Sequence, residues 1–320
     1  PMLSINRILF PTDLSEGAAR AFPQAAHLAE WHSADLHILN VTGRHRHDYE
    51  DAKARFPLST DALGEWLTPA EAAPDAEAAP DDAPWPDLEA LSCTQVQVEG
   101  AVPAERICDY AEAEDVDLIV MGTHGRRGVD RMLFGSVTEE VVREAPCPTF
   151  TVRTEADAAP GQAVRRVLAP VDFSDASEAA VRHAREIALT YGAEIDLLHV
   201  VEEPFYPSAY GYDPSAFPTA EVLDNVEAQL GEMAREMVGY EHAVIEARTG
   251  DPAREILAYT EEKAVDLIVI ATHGRTGLNR MLMGSVAERV LRRAPTPVFI
   301  VKPDRKSLLP APAAEAQVHD

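Results

Sequence analysis

Two tandem α/β domains, each a doubly wound parallel sheet, are predicted for this chain, and three observations carry the prediction. Short apolar runs alternate with helical segments from one end of the chain to the other, the pattern of parallel strands covered by helices on both faces. A 33-residue stretch at 116–148 recurs at 265–297, with 22 of 33 positions identical and no gap. At 320 residues the chain has room for two domains that each bury a core.

In the first half, residues 6–13 (NRILFPTD) form a short apolar strand ending in a turn. Ser15 is the expected N-cap of an alanine-rich helix over 16–32, with Pro23 as an awkward interior residue. Residues 35–41 (DLHILNV) supply the second strand. The equivalents in the second half are RVLAPVDFS at 166–174, a helix over 176–191 and EIDLLHV at 194–200, all at an offset of 159. From Pro103/Pro252 onward the offset is 149, so the first half carries ten extra residues between its second and third strands.

That insertion lies within about 43–92 and is read as a flexible acidic loop with one short helix. No lysine or arginine occurs between Arg55 and Arg106, and proline, alanine and acid dominate. Only residues 87–92 remain to start a helix before the third strand. His45 and His47 read as a charged tip rather than a metal pair. The second half has a cleaner helix over 220–237, preceded by an aromatic loop at 204–218. Third strands at 94–98 and 243–247 lead to helices begun by Pro103 and by Asp251-Pro252, where proline suits the first helical position. Proline-flanked last strands fall at 148–153 and 297–302. The domains are therefore placed at 1–153 and 164–303, with a linker at 154–163 and a disordered tail at 304–320.

The repeated stretch holds the candidate chemistry. Leu118–Met121 reads as a buried strand, a loop follows with Gly122, Gly125 and Gly128, and Gly135-Ser136 opens a helix that stops before Pro146. Strand, glycine loop and helix start together offer bare backbone N–H groups to an anion. Ser136 adds a hydroxyl where the helix dipole favours negative charge. In such sheets ligands sit at the carboxyl ends of strands where the strand order reverses, which brings Asp13, Val41 and the glycine loop to one crevice.

Composition sets limits. The formal net charge is −26, from 54 acidic against 28 basic residues, only four of them lysine. That field opposes binding to nucleic acid and to anionic membranes. The balance suits either a halophilic source or an ordinary acidic protein with an acidic loop. No membrane-length apolar run and no signal pattern is seen, so a cytoplasmic location without membrane insertion is expected. Cys93, Cys108 and Cys147 have neither CxxC nor His-paired spacing and read as reduced thiols. No metal-ligand set and no catalytic set is recognisable. GxxxxGK[ST] is absent, and His124 and His273 are the only general-base candidates, better read as loop caps.

The spacing Gly-x2-Gly-x9-Gly-Ser at Gly122, Gly125, Gly135 and Ser136, with PTDLS and PVDFS after the first strand of each half and the closing CPTFTV and TPVFIV strands, resembles the universal stress protein family. The resemblance covers nearly all of residues 4–303, twice. It implies an open five-stranded parallel sheet of order 3-2-1-4-5 in each half and, in many members, bound ATP (or AMP/ADP), with Mg as a companion ion. By position, Asp13 and Val41 would bracket adenosine, and Gly122, Gly125, Gly135 and Ser136 would hold the phosphates, with Arg126 and Arg127 as neighbours. The second set is Asp172, Val200, Gly274, Gly284 and Ser285. Ala271 replaces the first glycine there, and because alanine tolerates positive φ poorly the first site is the expected binder. Family dimerisation through the last strand implies an internal pseudo-dimer, with 149–152 pairing antiparallel to 298–301, and leaves room for a homodimer of whole chains. Three functions follow: a nucleotide-binding stress regulator, which leads; a slow ATPase; and a nucleotide-free scaffold, for example one that regulates a transporter.

Overall fold

The computed structural model describes residues 3–43, 56–67, 86–123, 135–153, 164–202, 220–239, 243–272 and 283–309. The first half supplies β1 (Arg7–Thr12), β2 (Asp35–Thr42), β3 (Cys93–Glu99), β4 (Leu118–Gly122) and β5 (Thr149–Val152). The second supplies β6 (Arg166–Pro170), β7 (Glu194–Glu202), β8 (Ala243–Gly250), β9 (Leu267–Ala271) and β10 (Val298–Val301). They form one ten-stranded sheet in the order β3-β2-β1-β4-β5-β10-β9-β6-β7-β8, so each half has the expected 3-2-1-4-5 arrangement. All pairings are parallel except β5 with β10, where Phe150 faces Phe299 in an antiparallel register. The anticipated pairing of the two last strands is therefore present, and it removes two exposed sheet edges.

Around the sheet lie α1 (Glu16–Ala19), α2 (Phe22–His32), α3 (Thr60–Leu67), α4 (Pro103–Ala113), α5 (Ser136–Glu144), α6 (Asp175–Tyr191), α7 (Ala220–Met233), α8 (Pro252–Glu262) and α9 (Ser285–Arg293). A π-helical turn, Ala234–Val238, extends α7. Alternate strand residues serve opposite faces, as the two-residue period requires. Ile8, Phe10, Leu118 and Val120 join one apolar cluster that runs across both halves under α2 and α6. Leu9, Ile119 and Met121 face a second cluster under α4 and α5, and Ile268 and Ile270 face a third under α8 and α9.

Three expectations need correction. The single helix over 16–32 is two helices, and Pro23 lies in the first turn of α2, where its missing N–H has no helical partner to lose. The insertion over about 43–92 is not wholly a flexible loop. Phe56, Leu58, Leu63 and Leu67 are buried, and Trp66 meets Phe10 and Phe22 edge-on, its ring 5.7 Å from Phe22. Gln95 fixes the incoming chain by bonding both the N–H and the carbonyl of Leu58 (2.8 and 2.9 Å). Thus α3 fills the position expected of a helix at 87–92, which instead makes a turn closed by Asp87. Residues 44–55 and 68–85, His45 and His47 among them, lie outside the described residues, as do the linker and the aromatic loop at 204–218.

The third correction concerns the tail. Residues 304–309 pack back onto the first half: Lys306 Nζ reaches Asp115 and Asp117 (both 2.7 Å), the Lys306 N–H donates to the Pro146 carbonyl, and Leu308 is fully buried with its carbonyl accepting from the Ser4 N–H. Residues 310–320 are outside the described residues. A reciprocal clasp supports the β5–β10 seam. Arg153 donates to the carbonyls of Arg293 and Ala294, and its equivalent, Lys302, donates to that of Ala145 (2.8 Å). Each half thus places a cation on the negative end of the other half's last helix. Burial pulls the Lys302 amine down to about 8.

Candidate functional site

In each half the chain runs out from the first strand to the second and third, then returns to the fourth on the other side. The reversal falls between β1 and β4, and between β6 and β9, and the carboxyl ends of strands at such a reversal are where sheets of this kind form a ligand crevice. The first-half residues that the structure brings to this end are Asp13, just past β1; Val41, near the end of β2; Gly122, the last residue of β4; and Gly135 and Ser136 at the start of α5. Asp172, Val200, Gly284 and Ser285 hold the matching positions in the second half. Gly125, Arg126, Arg127 and Gly274, like His124 and His273, lie outside the described residues.

Local chemistry explains the turn after the first strand. Leu14 and Phe173 both take a left-handed backbone (φ 62° and 60°). Beside them the Asp13 carboxylate accepts from the Ser15 N–H (3.0 Å) and that of Asp172 from the Ser174 N–H (3.1 Å). Ser15 and Ser174 then cap the following helices, accepting from the N–H groups of Ala18 and Ser177 (3.2 Å each). The carboxylate is therefore aimed in part by its own turn.

The loop base is also built the same way twice. The Gly135 N–H donates to the Thr123 carbonyl (2.8 Å) and the Gly284 N–H to that of Thr272 (2.7 Å), closing the glycine loop where it leaves the strand and enters the helix. A Cβ on Gly135 would lie 3.0 Å from the Thr123 oxygen, so close approach makes glycine the fitting residue. Neither α5 nor α9 has a side-chain N-cap, so their first N–H groups face the crevice end without one. The concern over Ala271 is answered by the backbone: it and Gly122 are both strand residues, and neither has a positive φ. Alanine costs no conformational strain at that position.

Sequence reasoning missed the residues that hold the crevice walls. Asn40 donates to the Thr12 carbonyl (2.8 Å), and its equivalent His199 bonds the Val171 carbonyl through Nδ1 (2.7 Å), tying the ends of the first two strands together in each half. Thr138 donates to the Gly122 carbonyl (3.0 Å), a bond that Ala287 cannot make in the second half. The signal for Asn40 was its place one residue before Val41, a polar residue directly after the apolar pair Ile38-Leu39.

The profile of the universal stress protein family matches residues 4–153 and again 163–302. The chain belongs to the universal stress protein family. A universal stress protein of Methanocaldococcus jannaschii is 37% identical over 145 residues, 44% of this chain and 84% of that protein. One from Mycolicibacterium smegmatis is 30% identical over 213 residues, 65% of this chain and 69% of that protein. Among solved structures, a universal stress protein from Archaeoglobus fulgidus superposes with a TM-score of 0.63 at 21% identity, covering 93% of this chain and 98% of that one. That likeness bears on the fold: a tandem pair of universal stress protein units in one sheet. Among the described residues no helix is long and apolar enough to cross a membrane.

Proposed function

We propose that this universal stress protein binds an adenine nucleotide, ATP or its mono- or diphosphate, in the crevice at the carboxyl ends of β1 and β4, and acts as a cytoplasmic regulator whose occupancy reports energy or stress status. The observation that carries the reading is the loop base. A glycine whose Cβ would press on the Thr123 oxygen at 3.0 Å sits at the start of a helix whose first N–H groups lack a side-chain cap, the arrangement that receives phosphate. Asp13, aimed by Ser15, would accept from ribose hydroxyls, with Val41 against the adenosine. Gly122, Gly125, Gly135 and Ser136 would hold the phosphates, with Arg126 and Arg127 adding positive charge and a Mg ion accompanying a triphosphate. The same reading extends to Asp172, Val200, Gly274, Gly284 and Ser285, because Ala271 carries no backbone penalty.

The test is nucleotide content. Denaturing the purified chain and chromatographing the supernatant should release one or two adenine nucleotides per chain. Ser136→Asp places a carboxylate at a helix start, which helices tolerate but bound phosphate opposes, so affinity should fall by about tenfold or more with the fold intact. A chain that arrives empty, and gives no heat with Mg-ATP at low and high salt, is a family member without nucleotide. Phosphate release that persists with binding would instead favour the slow ATPase.

A further inference from the structure

The two candidate crevices differ in charge at one helix position, one turn below the start of the phosphate-side helix. The helices that open at Ser136 and Ser285 are equivalent at an offset of 149, which sets Glu140 against Arg289. The same offset sets Val102 against Asp251, the residues that precede α4 and α8, and these helices pack beside α5 and α9. In the second half the Asp251 carboxylate caps α8, accepting from the Arg254 N–H (2.9 Å), and it also holds the Arg289 guanidinium through both of its oxygens (2.5 and 2.8 Å). The first half has neither device: Val102 gives α4 no side-chain cap, and the position of the cation carries an acid.

Helix geometry directs this cation toward the start of α9. Arg289 follows Ser285 by four residues, so the two share a helix face about 6 Å apart along the axis. Helical side chains tilt toward the amino end of their helix, and an extended arginine spans one turn. Asp251 holds the guanidinium from the residue after β8, whose carboxyl end lies on the crevice side of the sheet. A guanidinium carries five N–H donors and the bridge to Asp251 takes two, so donors remain for a further acceptor. The Arg289 side chain is 43% exposed, which leaves it open to one.

We propose that Arg289 sets the preferred length of the phosphate chain: the second half takes the nucleoside triphosphate, whose outer phosphates meet the guanidinium while Asp251 holds it, and the first half, with Glu140 at that place, favours the monophosphate. The inference rests on the nucleotide reading given above. A carboxylate near the outer phosphates repels them, whereas a positioned arginine offers them paired donors. A monophosphate has no outer phosphates and responds least to the exchange. The two halves are then unequal sensors, and one chain samples a triphosphate and a monophosphate of the same nucleoside together.

The test uses the full chain with one crevice disabled at a time. Ser136→Asp leaves the second half and Ser285→Asp the first, and each is titrated with Mg-ATP and with AMP by calorimetry. The ratio of the two affinities within one variant cancels losses common to both ligands, folding included. That ratio should favour Mg-ATP by about tenfold more in the second half than in the first. Arg289→Glu, added to Ser136→Asp, should erase the difference, and Arg289→Lys should keep part of it by retaining the charge. Glu140→Arg, added to Ser285→Asp, should raise the ratio of the first half. Equal ratios in the two halves, or ratios that ignore these exchanges, overturn the proposal and leave the nucleotide reading standing. Where only one half binds, the exchange in that half decides. Absence of binding in both single-crevice chains overturns the proposal and the nucleotide reading together.

Discussion

The two halves share a backbone and differ in the polar cluster between their first two strands and fourth helical segment. In the first half His37 Nδ1 lies 2.8 Å from the Tyr110 hydroxyl, with Arg7 beside it. In the second half the equivalents are Asp196, Tyr259 and Arg166: the Tyr259 hydroxyl donates to Asp196 (2.9 Å), and Arg166 donates to the same carboxylate (3.1 Å). One position thus holds an imidazole in one copy and a fully buried carboxylate in the other. The tyrosine and the arginine were kept, and what changed is whether the arginine's charge is answered inside the sheet. Arg7 turns instead to the Glu114 carbonyl and to Asp35 near the surface. The scaffold therefore asks for a hydrogen-bonding partner for the tyrosine at this point, and a carboxylate is one of two that fit.

The largest effect should come from removing that anion. Asp196→Ala leaves the Tyr259 hydroxyl without its acceptor and Arg166 without its buried partner, and should cost about 3 kcal/mol in urea unfolding. Asp196→His installs the first half's solution and should recover a clear part of that loss. If the two variants are equally destabilised, the clusters are not interchangeable and the comparison fails.

Much of this architecture was legible in the sequence because it was written twice. The repeat of 116–148 at 265–297 and the paired offsets placed all ten strands, and Ser15 was readable as a cap from its position alone. The loop base was half legible: spacing pointed to Gly135, but the contact that makes glycine fitting there, with the Thr123 oxygen, is tertiary. Asn40 and His199 were hidden although they match, and the rest of what the sequence hid lay in the insertion and the tail. The acidic composition of the insertion masked Phe56, Leu58 and Leu63, which join the apolar core, and Trp66, which packs on the rings of Phe10 and Phe22. The tail, short and proline-rich, gave no periodic signal, and its anchoring rests on Asp115 and Asp117, nearly two hundred residues earlier.

A second test asks which glycines the halves need in common. Gly122→Ala makes the first half resemble the second at a strand residue without positive φ, and should change stability by less than about 1 kcal/mol while leaving nucleotide content as it was. Gly135→Ala pushes a methyl against the Thr123 oxygen and should cost about 1–2 kcal/mol, with a matching loss of nucleotide. Equal effects at the two positions would mean that the loop base is not the shared element.

The seam offers a comparison between Arg153 and Lys302. An arginine keeps its charge at any working pH, whereas burial holds the Lys302 amine at about 8, below its ordinary 10.5. Between those values the unfolded chain binds more protons than the folded one, so the Lys302 contribution to stability rises with pH across about 8 to 10.5. Lys302→Arg should remove that rise from the alkaline limb of a stability–pH profile, by up to about 1.4 kcal/mol per pH unit. An unchanged limb would show that the amine is solvated in solution.

The smallest effect returns to His37 and Asp196. Burial, with Arg7 as the next contributor, lowers the His37 imidazole below 6.5. The native state then holds fewer protons than the unfolded chain below that value, so stability is lost as pH falls through 6.5. Burial raises the Asp196 carboxyl above 3.8, against the pull of Tyr259 and Arg166. Here the native state holds more protons just above 3.8, and stability is lost as pH rises through that window. One position thus carries opposite pH slopes in the two halves. His27, His32 and His183 are also lowered by burial and add to the acid-side loss, so His37→Gln should remove only part of it. The profile of the variant should be flatter below pH 6.5, by a fraction of the about 1.4 kcal/mol per pH unit that one full proton carries. Asp196→Asn should instead remove the loss of stability that sets in as pH rises above 3.8. Exchange of these two signatures would show that the cluster in each half is set by its surroundings rather than by the residue at the shared position.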